Sequence, residues 1–424
     1  MKLKALVLLS AVAACCGADA RTFKVSAWRG ETTAVLVPDY CELGEELPKG
    51  ISFRDGSLKL VKYAPKPGSM QRQECYDRVM WDSYGDGLRV VEVSVPADAK
   101  PGIYKRGMME VTVEDKVLPP AKEWKYYLDL WQHPWAVARY HHVKPFSKQH
   151  YAAMRPVYEL LATAGQKTLT VTLLEQPWDH QCYDAYHSMV DDKDFSTFDE
   201  YVEFGRSCGL GPDISCYSLC PWTLGKSIDE AELEKRWGAF IDRFAAHLKA
   251  KGWYKDTIMA MDERMPEDVR KVVEFVRRHA PGMRISMAGN RKPSEFKGID
   301  IDVYAQAYGY IDDAFLAEAA ERRKKGYVTT FYVCCGPDKP NTFMDSNPKE
   351  AFELGYLPAK KGLDGFLRWA WNSWPRDPVK DASYGDWRAG DTFLCYPNGE
   401  PSWRFLQLRN GIIAAEKERI SAGK

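Results

Sequence analysis

The sequence predicts an α/β fold, a (β/α)8 TIM barrel preceded by a small all-β sandwich. Three observations predict it. Residues 21–117 carry short runs of alternating apolar and polar residues separated by turn residues. From Trp124 onward, apolar strand-like runs alternate with amphipathic helical runs. Between them stands Leu118-Pro119-Pro120, and consecutive prolines resist both helix and central strand. The expected domains are therefore residues 21–120 for the sandwich and 121–424 for the barrel, with residues 1–20 set apart as a leader.

In the first part, Thr22–Ala27 and Thr33–Val37 alternate as half-buried strands do. Leu88–Val95 is followed by the turn Pro-Ala-Asp-Ala-Lys-Pro-Gly and then by Ile103–Val113, read as one further strand. Such spacing is that of a small sandwich. In the second part the predicted strands are Tyr126–Gln132, Thr168–Leu174, Asp213–Ser218, Thr257–Met261, Arg284–Met287, Val303–Gln306, Tyr327–Val333 and Phe366–Trp371. The predicted helices are Lys148–Ala164, Ser196–Cys208, Asp229–Ala250, Glu267–His279, Asp312–Lys325, Pro348–Lys361 and Ser402–Lys417. Only a short turn is expected between strands five and six, over Pro293–Gly298. Eight strands in some 300 residues fit a closed barrel better than an open doubly wound sheet. No G-x-G-x-x-G follows an early strand, which disfavours a dinucleotide fold.

Lys2 and Lys4 precede the apolar stretch Ala5–Ala14, which is too short for a bilayer span, so residues 1–20 read as an export signal. Two processing routes fit. Ala18-Asp19-Ala20 has the small residues for cleavage before Arg21, whereas Val12-Ala13-Ala14-Cys15 resembles a lipobox that would lipidate Cys15. The balance falls to lipidation, because Cys15 and Cys16 otherwise have no reason to stand among small residues. The expectation is an exported chain, periplasmic, secreted or at the cell surface, touching a membrane only through that lipid.

Composition bounds the partners. The chain is 424 residues long and globular in make-up, 45% hydrophobic and 28% charged. Its 59 Lys and Arg balance 59 Asp and Glu, so no net field favours nucleic acid or an anionic membrane. Eleven cysteines less two in the leader leave nine, an odd number with scattered spacing rather than a disulfide framework. Cys216 and Cys220 lack a histidine-bearing partner motif, and His141-His142 lacks a third ligand, so no metal is expected. Aromatic residues make up 13%, including 14 Trp and 23 Tyr, which suits core packing and flat sugar-binding platforms alike.

Barrel active sites form at the C-terminal strand ends. Those ends here carry His133, Trp178, Tyr217, Asp262-Glu263, Tyr304, Tyr332, and Trp371-Asn372. Aromatics and amides thus crowd one end of the barrel around an adjacent carboxylate pair. Glycosidic cleavage needs a proton donor at the leaving oxygen and stabilisation of positive charge at the anomeric carbon. Paired carboxylates usually stand about 5–9.5 Å apart on opposite sides of the bond. Neighbours on a regular strand point to opposite faces, so Asp262 and Glu263 share a pocket only where the strand breaks. Adjacent carboxylates suit instead a reaction in which a substrate 2-acetamido group is the nucleophile, one carboxylate orienting it and the other serving as acid and base. A surface pair at a helix start is the plain alternative.

Each remaining candidate has two uses. His133 could bind a sugar hydroxyl or its own loop. Trp178 and Trp371 could be platforms, though alternation puts Trp369 and Trp371 on one face and Asn372 on the other. Asn372 could hold a sugar hydroxyl; Tyr217, Tyr304 and Tyr332 could offer hydroxyls to substrate or be core. Arg264 and Arg368 fit pairing with carboxylates better than contact with a neutral sugar.

The chain resembles the catalytic domains of glycoside hydrolase family 123, the retaining β-N-acetylgalactosaminidases. The likeness lies in LDLWQHPWAVARY at 128–140, CYSLCPW at 216–222, IMAMDERMP at 258–266 and GFLRWAWNSWPRDP at 365–378 with GDTFLCYP at 390–397. It covers the chain from about Trp124, and the preceding β-part resembles the family's N-terminal sandwich. The resemblance implies substrate assistance through an oxazolinium-type intermediate. Asp262 would then orient the 2-acetamido group, and Glu263 would protonate the leaving oxygen and deprotonate water. It implies a glycan or glycoconjugate substrate and no cofactor. Two other readings fit the same residues: a non-catalytic carbohydrate-binding protein of this fold, and a glycosidase for another sugar with Glu175 or Asp179 across the pocket.

Overall fold

The computed structural model describes residues 22–38, 40–45, 48–83, 88–173, 182–191, 194–217, 231 and 234–423, the side chain of residue 236 excepted. Residues 1–20, with the leader and Cys15, lie outside them, as do Glu175, Trp178, Asp179 and Cys220.

The first seven strands are β1 (Phe23–Arg29), β2 (Thr32–Val37), β3 (Ser52–Tyr63), β4 (Gln73–Trp81), β5 (Arg89–Ser94), β6 (Gly102–Arg106) and β7 (Met109–Val117). They form a four-stranded sheet in the order β2-β5-β3-β4 and a three-stranded sheet in the order β1-β7-β6. The predicted single strand Ile103–Val113 is a hairpin, because Gly107 takes a positive φ and turns the chain between β6 and β7. Val91, Val93, Val111 and Val113 meet Val25 and Ile51 in the core between the sheets. The alternate residues of the larger sheet, among them Val90, Leu58 and Val79, join the main core shared with the barrel.

That barrel holds eight parallel strands: β8 (Tyr127–Leu130), β9 (Thr168–Thr172), β10 (Asp213–Tyr217), β11 (Thr257–Asp262), β12 (Arg284–Gly289), β13 (Val303–Ala307), β14 (Val328–Tyr332) and β15 (Gly365–Arg368). Their order runs β8-β15-β14-β13-β12-β11-β10-β9. Nearly every strand residue is buried, as expected where helices cover the outside and side chains fill the inside. The seam between β8 and β9 is closed by glutamines. Gln166 Oε1 accepts from the Leu130 amide at 2.9 Å, and Gln132 Oε1 from the Thr170 amide at 2.8 Å. On the other side of β8 the strands approach so closely that a Cβ at Gly365 would fall on the Tyr127 carbonyl.

The described helices are α1 (Pro134–Tyr140), α2 (Lys148–Ala162), α3 (Ser196–Ser207), α4 (Ala239–Lys251), α5 (Pro266–His279), α6 (Asp313–Lys324), α7 (Pro348–Lys361) and α8 (Trp403–Ser421). Only a 3-10 turn, Pro293–Glu295, links β12 to β13, as the sequence predicts. Helix α8 lies between barrel and sandwich. Its Arg409 pairs with Glu92 at 2.6 Å, and its Arg404 grips Asp77 through Nε at 2.9 Å with both side chains buried.

Candidate active site

The barrel interior is built in layers. At the N-terminal end the Tyr127 hydroxyl donates to Asp213 at 2.7 Å, and Arg284 binds the same carboxylate at 2.7 Å. One layer up, the Asp129 carboxylate accepts from the Thr168 hydroxyl at 2.5 Å. Burial pushes Asp129 up to about 6, against the hydrogen bonds from Thr168 and Trp131. Above it the Trp131 ring lies 4.8 Å from that of Tyr217.

Asp262 and Glu263 stand at the C-terminal end. Asp262 is the last residue of β11 and pairs with Ala288 of β12. Glu263 also binds Ala288, its amide donating to that carbonyl at 2.8 Å, but with φ at +37°. A left-handed glutamate is uncommon and costs on the order of 1–3 kcal/mol, a strain that clusters at functional sites. Here it ends the strand's alternation, so that two consecutive side chains turn to one place. That place is Tyr332, the last residue of β14, whose hydroxyl donates to Glu263 Oε1 at 2.5 Å. Burial first, then this bond, then the Asp262 charge hold the phenol well above its ordinary range. Asp262 also acts on the buried Tyr217 hydroxyl. The four residues therefore converge on one mouth, with Glu263 exposed and Asp262 half-buried. Pro266 opens α5 just beyond, where its missing N–H costs nothing.

One wall of the mouth comes from the end of β15. Leu367 is the register partner of Tyr332, and Trp369 follows two residues on, half-buried. Its indole stands 5.2 Å from that of Trp387, and its N–H donates to Asp391 at 3.1 Å. Asp391 is itself locked to Arg368 at 2.8 Å in an ion pair with neither side chain accessible. Arg368 reaches on to the Val333 carbonyl beside Tyr332 at 3.2 Å. A single buried ion pair thus ties the Tyr332 strand end to the Trp369 indole.

Residues 131–421 match the family model described as the catalytic domain of glycoside hydrolase 123. The chain belongs to glycoside hydrolase family 123. Its structure is similar to that of a family 123 glycoside hydrolase from Clostridium perfringens, with a TM-score of 0.80 and 23% identity over 94% of this chain and 83% of that one. That enzyme's structure was described for glycolipid glycan hydrolysis. Weaker likenesses include a GH39 enzyme from Xanthomonas axonopodis pv. citri (TM-score 0.43, 9% identity, covering 69% and 67%). Another is the xylanase 10B modules of Clostridium thermocellum (TM-score 0.38, 9% identity, covering 92% and 86%). No curated protein matches the chain in sequence.

In this family 123 chain four of the sequence candidates serve the scaffold rather than the mouth. His133 is wholly buried as the cap of α1, its Nδ1 accepting from the Ala136 amide at 3.3 Å and its Nε2 donating to the Asp184 carbonyl at 3.0 Å. Burial pushes it down to about 3, so it stays neutral with both nitrogens occupied. Asn372 clasps the same residue: Oδ1 accepts from the His133 amide at 2.8 Å and Nδ2 donates to its carbonyl at 2.9 Å. Trp371 is wholly buried, its ring 4.7 Å from Phe405 of α8, with no face left for a sugar. Tyr304 turns to the helix layer, donating to the Arg291 carbonyl beneath the Arg322 guanidinium and packing where a Cβ at Gly289 would strike its hydroxyl. Tyr217 and Tyr332 join Asp262 and Glu263; Trp178 lies outside the described residues.

Sequence reasoning missed Trp387, Asp391 and Asp129 as parts of the site's architecture. Asp129 carried a signal, being an acid inside a predicted central strand. Trp387 and Asp391 stand in a long loop with no periodicity to read. Trp387 enters through its contact with Trp369, and Asp391 through Trp369 and Arg368.

Proposed function

We propose that this family 123 glycosidase is a retaining β-N-acetylgalactosaminidase working by substrate assistance. The observation that carries the reading is the left-handed turn at Glu263, which sets consecutive carboxylates on the same side of one mouth. Carboxylates so placed do not flank an anomeric carbon from opposite sides, which supports a nucleophile supplied by the substrate. The 2-acetamido oxygen attacks C1 as the glycosidic bond breaks, and Glu263 gives its proton to the leaving oxygen. Asp262 receives the acetamide N–H and balances the charge that develops on the oxazolinium ring. Glu263, now a carboxylate, takes a proton from the water that reopens the ring, which restores the anomeric configuration.

Tyr332 supports both steps. Its hydroxyl donates to Glu263 and feels the Asp262 charge, so it is a donor free to bind the acetamide oxygen when substrate displaces its contact with Glu263. The half-buried Trp369 and Trp387 rings offer the apolar faces a pyranose packs on. The substrate we propose is a terminal residue on a glycan or glycolipid, the class named for the Clostridium enzyme. We further propose that the chain is exported and anchored through a lipid on Cys15. Among the described residues no helix is long and apolar enough to cross a membrane.

The test is turnover of an aryl β-N-acetylgalactosaminide beside the matching aryl β-galactoside. Turnover of the first alone is expected; equal turnover of both removes the acetamido nucleophile. Asp262→Asn should depress all 2-acetamido substrates, and Glu263→Gln should spare those with acidic leaving groups. Equal losses on good and poor leaving groups would contradict the role of Glu263. Saturable sugar binding in a calorimeter without hydrolysis would point to a binding protein instead.

A further inference from the structure

Immediately beyond β14, two residues past Tyr332, the chain carries Cys334 and Cys335 in succession. Consecutive residues of a strand point apart, but the chain bends at both, and the two sulfurs stand 3.7 Å apart. Cys334 is half-buried and Cys335 exposed. No other described cysteine has a second thiol within hydrogen-bond reach. The segment is clamped on both sides of Cys335. The Val333 carbonyl accepts from Arg368, and the Cys334 carbonyl accepts from Asn341 at 3.0 Å. Asn341 also donates to the Pro337 carbonyl at 2.7 Å. Cys334 follows Tyr332 by two residues and is near enough to the Tyr332 phenol and to Asp391 for their charges to act on one another, so the pair borders the proposed sugar site.

We propose that Cys334 and Cys335 form a thiol–disulfide exchange site at the barrel mouth, closing to a vicinal disulfide when they meet a small-molecule disulfide. Exposed Cys335 attacks first, giving a mixed disulfide and releasing one small thiol. The Cys334 sulfur, already beside it, then attacks the Cys335 sulfur and releases the second small thiol. Two protein S–H bonds and one small disulfide thus become one protein disulfide and two small thiols. Two electrons pass to the small disulfide, and the two protons end on its thiols. The order follows from accessibility, and burial pushes the Cys334 thiol up to about 12, which disfavours it as the first nucleophile.

The closed form is labile by construction. Adjacent Cα atoms stand about 3.8 Å apart across a trans peptide, whereas unstrained disulfides want roughly 4.4–6.8 Å. With the Val333, Cys334 and Pro337 carbonyls all held, the distortion falls on the bend at Cys335 between them. A strained, exposed disulfide has a high reduction potential and reopens readily, which distinguishes an exchange site from a structural cross-link.

The experiment exposes the full chain, reduced and freed of reductant, to oxidised glutathione in large excess, so that mass action offsets the high potential, blocks remaining thiols and weighs the peptide that holds both cysteines. We expect loss of two hydrogens, reversed by dithiothreitol. Cys334→Ser should trap the glutathione adduct on Cys335, and Cys335→Ser should react at residue 334 at least about tenfold more slowly. The proposal is overturned by a wild-type peptide that keeps both thiols, by one that stops at the glutathione adduct, or by equal trapping in the two variants. The mass readout is independent of which sugar the enzyme takes.

Discussion

Replacing Tyr332 with phenylalanine removes one oxygen from the mouth and nothing else from the ring. That hydroxyl makes a 2.5 Å bond to Glu263 and lies under the Asp262 charge as well. A hydrogen bond to a charged group is worth about 1.5–3 kcal/mol, and about 1.4 kcal/mol is tenfold in rate. If the donor turns to the acetamide oxygen in the transition state, kcat/KM should fall about 10- to 150-fold. Stability should change little, because Glu263 is exposed and water can take the place of the lost donor. The assay is kcat/KM on aryl N-acetylgalactosaminides of high and low leaving-group acidity, with a urea curve run on the same protein. The loss should be similar for the two leaving groups, since the acetamide attack is common to both. A variant that keeps kcat/KM within twofold of the parent would refute the assignment of Tyr332 to the reaction.

Four further substitutions, at three residues, test the surrounding architecture. Asp391→Ala strands Arg368 as a buried cation and should cost about 3–5 kcal/mol in urea unfolding. Asp391→Asn, which keeps an acceptor for the Trp369 indole, should leave the tryptophan emission closer to that of the parent. Asn372→Ala leaves the amide and carbonyl of His133 unpaired and should cost roughly 2–5 kcal/mol; a raised KM at unchanged stability would return Asn372 to the sugar. Asp129 keeps its proton in the fold up to about pH 6, whereas the unfolded chain releases it near its ordinary 3.8. Its burial therefore costs stability above that range, up to about 3 kcal/mol, and the cost fades as pH falls toward 4. Asp129→Asn should accordingly stabilise the protein at pH 7.5 and lose that advantage at pH 4, read from urea midpoints at the two values.

Much of the barrel was legible because its strands are buried on both faces. Thr168, Asp213, Thr257, Arg284 and Val303 each begin a strand where the sequence pattern begins it. The hairpin at Gly107 is hard to read because the turn is only Gly107-Met108, and Met108-Met109 carry an apolar run straight into the next strand. Helix α1 was hidden for a related reason: His133 and Pro134 follow a strand directly and look like a loop, although proline is well placed at a first helical position. The focal pair could be found since an adjacent Asp-Glu at a strand end is a local feature. Asn372 could not be assigned from sequence. Its partner is 239 residues away in the chain, and nothing local distinguishes an amide that clasps a backbone from one that waits for a sugar. Alternation failed at Trp371 for a comparable reason. β15 ends at Arg368, and past that point the spacing by two carries no information about facing.

The N-terminal sandwich also shapes the mouth, for its β3–β4 hairpin holds the loop that carries Trp387. The Ala382 amide donates to the Lys62 carbonyl at 2.8 Å, the Ala64 amide to the Ser383 hydroxyl at 2.6 Å, and Arg72 pairs with Asp381 at 2.6 Å. Only a few residues separate this braced stretch from the Trp387 ring that meets Trp369. The sandwich also supplies Asp77, the carboxylate that neutralises Arg404 deep in the interface and accepts from the Tyr396 hydroxyl at 2.6 Å. Cutting the chain at the proline linker would leave that guanidinium buried without its anion, a loss of about 3–5 kcal/mol before any apolar area is counted. The buried valines and leucines that the larger sheet contributes to the common core add to it. The sandwich is thus part of what shapes the mouth, and a barrel expressed without it should lose stability and the Trp369–Trp387 wall together.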